Sequence, residues 1–272
     1  MKKLIIFIFL LLTVLFIFPI KSSASADTMP FYRLRPEELT VRSQFFTSYY
    51  NSSDERKHNI CLASSLLNNT FIDIGEEFSF NKTVGVRSLE RGFLEAKIIS
   101  NGKFTEGVGG GVCQVSTTLY NAILLADLKV TEYHPHSLPV SYIAPSFDAM
   151  VSSNYADLKF KNTTNNPIII QSSANENQIK ITIIGEKKKY EIYRESLVKE
   201  RLPIETEYIF DDKNEYNLEN VNEKFIEYGK EGLISEGFLI YKKNGKIILK
   251  KRIRKDTYKS TKNIIAKKKS LS

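Results

Sequence analysis

Two stretches of the chain repeat apolar residues with the period of an amphipathic helix. The first begins at Asp54, a residue suited to cap a helix, and ends at about Leu67, before a pair of asparagines. The second follows the glycines at 109–111 and continues to about residue 126. The inward-facing positions predicted for these helices are Ile60, Ala63, Ser64 and Leu67 in the first, and Val115, Leu119, Ala122, Ile123 and Ala126 in the second.

Elsewhere apolar and polar residues alternate with the period of two that is typical of strands. Short strands are predicted within 70–81, followed by a glycine-containing loop and then a strand that ends in an Asn101-Gly102 turn. Residues 128–133 predict another strand, the proline-rich segment 134–151 predicts a loop, and residues 155–185 predict an antiparallel meander. The expected fold class is α+β: a central helix carries Cys113 at its N-terminus and packs on antiparallel sheet, and a small C-terminal β module follows.

Composition shifts divide the chain into six segments. The region 223–260 has the form strand–turn–strand–turn–strand, and its KKNGK sequence predicts a hairpin. The predicted segments are a signal peptide (1–26), a leader (27–53), the main domain (54–185), a connector with one or two strands (186–222), the small β module (223–260) and a basic tail (261–272).

The N-terminus predicts export. Two lysines precede the apolar run 4–20, and Ala24-Ser25-Ala26 has the small residues of a cleavage site before Asp27. An uncleaved membrane anchor is the alternative interpretation of so long an apolar run. The net charge is +8, and many of the basic residues lie toward the C-terminus. Such a basic region has three candidate partners: nucleic acid, an anionic envelope polymer and a membrane surface. Export favours the anionic cell wall over nucleic acid.

Cys113 is the residue most suited to catalysis. It follows three glycines and opens the second predicted helix, where free N–H groups and the helix dipole lower a thiol pKa. Of the three histidines, His134 and His136 lie in one loop about 20 residues on, close enough for a returning strand to place either beside the thiol. Asp148, Asp157 or a backbone carbonyl could orient the imidazole.

These residues also allow other interpretations. A disulfide with Cys61 is the default in an exported protein, but Cys61 falls on the apolar face of the first helix, which favours a buried, inert thiol and a free Cys113. A metal site at Cys113, His134 and His136 has irregular spacing, so no metal and no cofactor are expected. The glycine run lacks the Lys-Ser/Thr of a phosphate-binding loop.

The sequences FIDIGEEFSFNKTVGVRSLERGF, GGGVCQVSTTLYNAILLADL, EYHPHSLPVSYIAPSFDAMV and DLKFKNTTNNPIII resemble the VanW family from about Arg56 to Gly185. The end of the chain, GFLIYKKNGKIILKKRIRKDTYKS, resembles the small G5-like β module that often ends such proteins. The family occurs in exported proteins of Gram-positive bacteria and was named for glycopeptide-resistance clusters. Some members act as L,D-transpeptidases that form 3→3 peptidoglycan crosslinks through a cysteine.

The resemblance places the family's cysteine on Cys113, its histidine on His136 and its aspartate on Asp148, although Ser146 or Phe147 replaces the usual glycine before that aspartate. His134 matches no fixed histidine of the family. The residues expected to bind the oxyanion or the substrate are Gly110, Gly111, Gln114, Ser116, Thr117, Arg87, Ser137 and Tyr142.

The predicted function is a cysteine L,D-transpeptidase outside the cytoplasm, secreted or wall-associated, whose partners are peptidoglycan stem peptides and the anionic wall. A membrane is a partner only if the N-terminal segment stays uncleaved. The alternatives are a non-catalytic wall-binding protein associated with glycopeptide resistance, and a cysteine peptidase or amidase on the same stem peptides.

Overall fold

A four-stranded antiparallel sheet with the order β1-β9-β8-β2 forms one layer of the molecule. A computed structural model describes residues 39–100, 102–213, 215–218 and 221–268, so the signal peptide predicted at 1–26 lies outside the described residues. Within those ranges no helix has the length and apolar character needed to span a bilayer. The strands of the first sheet are β1 (Thr40–Ser48), β2 (Thr70–Ile72), β8 (Ile168–Ala174) and β9 (Gln178–Gly185).

The first strand corrects the prediction of a leader that ends at residue 53. β1 pairs with β9 in antiparallel register from Thr40↔Gly185 to Ser48↔Gln178, so residues 40–48 form an edge strand of the main sheet. The predicted meander agrees with β8 and β9, which pair antiparallel across the asparagine-rich turn. Ile168, Ile170, Ile179, Ile181 and Ile183 alternate toward the core and are fully buried.

Three helices accompany the sheet: α1 (Asp54–Leu67), the short α2 (Phe80–Val84) and α3 (Val112–Leu125). Both long helices contact the first sheet. The cap of α1 is Ser53 rather than Asp54, because the Ser53 side chain accepts a hydrogen bond from the backbone N–H of Arg56. The four predicted inward positions of α1 are buried.

Helix α3 is buried on all its faces, which corrects the expectation of an amphipathic helix. It contacts helix α1, strands β1 and β9, and two strands further along the chain, at Lys129–Glu132 and Glu191–Leu202. Twelve of its fourteen residues are buried, including the polar Gln114, Ser116, Thr117 and Asn121. Polar side chains on a helix enclosed in this way must find hydrogen-bond partners in the surrounding protein.

The segments between the longer helices and strands form short helical turns and two smaller groups of strands. The predicted loop after residue 81 is partly helical, because it contains the end of α2 and a 3₁₀ turn at Leu89–Arg91. Strands β3, β7 and β6 form an antiparallel sheet, and β4 and β5 form a hairpin. These strands are β3 (Glu77–Ser79), β4 (Glu95–Ser100), β5 (Lys103–Val108), β6 (Lys129–Glu132) and β7 (Lys159–Lys161).

The C-terminal part of the chain forms two three-stranded sheets, β10-β13-β14 and β11-β15-β12. Their strands are β10 (Glu191–Leu202), β11 (Thr206–Phe210), β12 (Glu223–Glu227), β13 (Gly232–Lys243), β14 (Lys246–Tyr258) and β15 (Asn263–Lys267). The KKNGK hairpin is present: Asn244 and Gly245 both have positive φ, as a type I′ turn requires. The one or two strands predicted for the connector are present as β10 and β11. The predicted basic tail contains β15, which pairs with β11 and β12.

Candidate active site

The glycine run turns the chain from β5 into α3. Gly109 and Gly111 have φ of +85° and +111°, a region that side chains rarely adopt, and Gly111 occupies the N-cap of α3. Gly110 is needed for a close approach, since a Cβ there would lie 2.6 Å from the carbonyl oxygen of Ala96. This tight passage places Cys113 at the second position of the helix.

The thiol of Cys113 lies where two positive groups act on it. Its Sγ is 3.4 Å from the carbonyl oxygen of Val151, and it shares a hydrogen bond with His136. Burial opposes ionisation of the thiol, but the hydrogen bond and charge of His136, together with the charge of Arg87, outweigh burial and lower the pKa of Cys113. The surroundings therefore favour a thiolate, the form in which cysteine is a nucleophile.

His136 is held from its other side by Asp148. One carboxylate oxygen, Oδ2, accepts hydrogen bonds from His136 Nδ1 at 2.7 Å and from the His136 backbone N–H at 2.6 Å. Both side chains are buried, at 5% and 1% exposure. Burial works against the charged imidazole, but the hydrogen bonds to Asp148 and Cys113 raise the pKa of His136 to about 9. With Nδ1 bound to Asp148, Nε2 is the ring nitrogen left for the thiol.

The two other candidates for this site lie elsewhere. His134 bonds Glu132 at 3.0 Å, so the structure separates the two histidines of the loop. Asp157 accepts hydrogen bonds from Ser79 Oγ and from the backbone N–H of Asn81.

The second cysteine, Cys61, contacts different residues from Cys113. Cys61 and Cys113 are both free, and Cys61 Sγ lies 3.8 Å from the Tyr49 hydroxyl. The prediction of a buried Cys61 is wrong, because its side chain is partly exposed on the side of α1.

Cys113 and His136 line a cleft of 1370 Å³. Five of the residues predicted to bind the oxyanion or substrate also line it: Gly110, Gly111, Gln114, Arg87 and Tyr142. Arg87 Nη1 donates to Asn81 Oδ1 and to the carbonyl oxygen of Gly85. Among the described residues, no carboxylate lies within ion-pair distance of the Arg87 guanidinium. The guanidinium therefore retains donors for an anionic ligand.

Three of the predicted binding residues use their side chains to hold the protein together. Ser116 Oγ donates to the carbonyl oxygen of Ala149 at 2.6 Å, and Thr117 Oγ1 accepts from the backbone N–H of the same residue at 3.0 Å. Gln114 reaches the cleft wall, but its amide donates to Thr47 and Ser48 of β1. The polar helix start thus fixes the loop that carries Asp148.

The remaining predicted binding residue, Ser137, is exposed and is absent from the cleft wall. Its backbone carbonyl instead accepts from the N–H of Lys259 at 2.8 Å.

Sequence reasoning missed two residues at the centre of this group. Arg254 and Tyr258, both on β14, contact Asp148 from the C-terminal sheet. They lie 106 and 110 residues from Asp148 in the chain. No local pattern links such positions, because β14 reads as an ordinary lysine- and arginine-rich strand.

Comparisons with known proteins match the first part of the chain. A family model described as "VanW like protein" matches residues 55–184. The uncharacterized protein YoaR of Bacillus subtilis (strain 168) is 40% identical over 139 residues, which are 51% of this chain and 46% of YoaR. The vancomycin B-type resistance protein VanW of Enterococcus faecalis (strain ATCC 700802 / V583) is 27% identical over 146 residues, 52% of this chain and 53% of VanW. The chain therefore spans about half the length of the curated relatives that it matches.

Two solved G5 structures align with part of the chain. The structure of HP0197-G5 (18% identity, TM-score 0.18) covers 29% of this chain and 99% of its own length, and the IgA1 protease G5 domain (16% identity, TM-score 0.21) covers 31% and 98%. These TM-scores are too low to support a statement about the fold, so the G5-like module stays a prediction. Residues 55–184 of this chain are therefore similar to the VanW family.

Proposed function

We propose that this protein is a cysteine acyltransferase, an L,D-transpeptidase that crosslinks peptidoglycan stem peptides. One observation carries the proposal: a thiol at a helix N-terminus meets a buried histidine, and that histidine is held by a buried aspartate. This order of nucleophile, base and orienting carboxylate is the general arrangement for acyl transfer through a covalent intermediate.

In the first step, the thiolate of Cys113 attacks the carbonyl carbon between an L- and a D-residue of the donor stem. A C–S bond forms and the C–N bond breaks, while the imidazolium of His136 gives its proton to the departing amine. The products of this step are a thioester on Cys113, neutral His136 and the free terminal D-amino acid. Asp148 stabilises the imidazolium that exists before the proton leaves.

The N-terminus of α3 supplies a donor for the oxyanion. The N–H groups of Val112 and Gln114 donate to the carbonyl oxygens of Gly109 and Gly111. The N–H of Cys113 belongs to the first turn of α3, whose N–H groups have no acceptor within the helix, so it can donate to an oxyanion. A donor in this position contributes ~3 kcal/mol to stabilising a tetrahedral intermediate.

In the second step, the amine of an acceptor stem attacks the thioester. A C–N bond forms, the C–S bond breaks, and His136 takes the proton from the attacking amine, which regenerates the imidazolium–thiolate pair. Arg87 lines the cleft and can pair with a stem carboxylate, because a guanidinium binds carboxylates through two parallel hydrogen bonds. Export of the protein, which the sequence of residues 1–26 predicts, is also part of the proposal.

Purified protein incubated with disaccharide-tetrapeptides provides the test, with products identified by mass spectrometry. We expect 3→3 dimers and released D-amino acid from the native chain and none from Cys113→Ala. Dimers from Cys113→Ala would refute the thiol mechanism. Stems shortened without new crosslinks would assign a peptidase or amidase, and binding of intact stems without any product would assign a non-catalytic wall protein.

A further inference from the structure

The carboxylate of Asp148 accepts hydrogen bonds from two separate parts of the fold. The loop supplies both donors to Oδ2, which are the ring and backbone N–H groups of His136. The C-terminal strand β14 supplies the donors to Oδ1: the Tyr258 hydroxyl at 2.5 Å and Arg254 NH2 at 3.3 Å. Arg254 NH1 also donates to the Asp148 carbonyl oxygen at 2.6 Å. The orientation of this buried carboxylate therefore depends on β14.

The residues of β14 that reach the site share one face of the strand. Arg254, Asp256 and Tyr258 alternate along the strand and are 4%, 7% and 1% exposed. Arg254 Nε donates to Asp256 Oδ2 at 2.6 Å, so Asp256 compensates much of the guanidinium charge. Because Asp256 offsets the positive charge of Arg254, the negative charge of Asp148 remains available to stabilise the imidazolium of His136.

The loop that carries Asp148 is also fixed to the same sheet. Tyr258 Oη accepts from the backbone N–H of Ser146 at 2.8 Å, and Ser146 Oγ bonds Ser235 Oγ at 2.7 Å. A Cβ at Gly237 of β13 would lie 2.8 Å from the carbonyl oxygen of Ser146. The glycine thus permits the close contact between β13 and the loop.

We propose that Arg254 and Tyr258 are positioning residues for the Cys113–His136 pair and that the C-terminal sheet is part of the catalytic unit. Both residues lie outside the matched domain at 55–184. They hold Asp148 ionised and aim its Oδ2 at His136 Nδ1. The role in acyl transfer rests on the proposed function, whereas the effect on the thiol can be measured without any substrate.

The physical expectation follows from the charges around the pair. Asp148, which accepts a hydrogen bond from Tyr258, faces His136 from one side, and Cys113 faces it from the other. Arg87 adds positive charge at the thiol. When Oδ1 loses a donor, the buried carboxylate is less stable as an anion and is free to turn away from His136. A weaker counterion for the imidazolium destabilises the imidazolium–thiolate pair, and the thiol pKa rises.

The test is a thiol titration in the full chain with Cys61→Ser, which leaves Cys113 as the single thiol. The ultraviolet absorbance of the thiolate and the rate of iodoacetamide alkylation are followed against pH. The variants are Tyr258→Phe, which removes one hydroxyl, and Arg254→Lys, which keeps the charge but loses the forked geometry. The matched control is Tyr241→Phe on β13, because the Tyr241 hydroxyl also donates to a carboxylate, Asp127 at 3.1 Å, away from the cleft.

We expect Tyr258→Phe and Arg254→Lys to raise the midpoint by about one pH unit, which is a roughly tenfold change in the ionisation equilibrium, and Tyr241→Phe to leave it unchanged. A folded Tyr258→Phe protein whose midpoint equals that of the background would overturn the proposal, as would an equal shift in the control. If the native chain forms no 3→3 dimers, the proposed function fails, but the titration still decides whether β14 positions the pair.

Discussion

Helices α1 and α3 each contain fourteen residues and one cysteine, but they give their cysteines different chemistry. Cys61 lies in the middle of α1, where the N–H groups of the helix are used within it, and its thiol meets the hydroxyl of Tyr49. Cys113 lies in the first turn of α3, where a free N–H, an imidazole and a cleft converge.

This comparison shows that the reactivity of a thiol depends more on its position along a helix than on its being in a helix. The partners of Cys113 come from a loop that begins after β6 and is held against α3 by Ser116 and Thr117. The Cys61 thiol instead contacts the Tyr49 hydroxyl and the carbonyl oxygen of Asn175. The reactivity of the two thiols therefore provides a direct way to test the site.

The largest expected effect comes from His136→Gln, which removes the ionisable partner of Cys113 but not of Cys61. Crosslinking should fall by about 10²–10⁴-fold, the usual contribution of general acid–base catalysis. Alkylation of Cys113 at neutral pH should also fall, because a thiol of ordinary pKa is only a few per cent ionised there. Peptide mapping after alkylation separates the two cysteines. Unchanged labelling of Cys113 would contradict the ion pair.

The next effect is on the pH dependence of crosslinking. The reactive ion pair exists above the lowered pKa of Cys113 and below the raised pKa of His136, about 9. Since His136 is protonated only below this value, kcat/KM should decline above it, by roughly tenfold per pH unit. A rate profile that stays level far into the alkaline range would show that the imidazolium is not the proton donor.

A smaller effect is expected on stability from Gly111→Ala, at the contact between the two helices. A Cβ there would lie 3.0 Å from both the Arg56 carbonyl oxygen and Ile60 Cγ1 of α1, at a φ of +111°. We expect a loss of about 1–3 kcal/mol in urea unfolding. Gly245→Ala is the control, because Gly245 also has positive φ but no heavy atom within 4 Å of a Cβ. Equal losses would show that the helix contact contributes nothing.

The smallest effect is expected from Cys61→Ser. The Cys61 side chain is partly exposed and lies outside the cleft wall, so the rate of crosslinking should stay within about twofold of the native value and stability should change by less than ~1 kcal/mol. Activity and urea unfolding check both statements. A loss of crosslinking comparable to that of His136→Gln would instead give Cys61 a part in the reaction.

The sequence predicted the members of the site better than the roles of the residues around them. Local pattern placed Cys113 after the glycines, and the family resemblance selected His136 over His134 and chose Asp148. The same resemblance assigned Ser116 and Thr117, which match the start of the family's helix, to the binding of the oxyanion or substrate. In the structure α3 is enclosed on every side, so these hydroxyls bond the loop at Ala149 instead.

What the sequence alone determined is the local chemistry: the glycines that permit positive φ, the cysteine after them, the hairpin at Asn244-Gly245 and the strand periods. These features depend on neighbours in the chain and can be predicted from them. What only the tertiary structure decided is which distant groups complete the site. Arg254 and Tyr258 reach Asp148 across more than a hundred residues because β13 and β14 fold back onto the loop, and no periodicity within a single strand encodes such a contact.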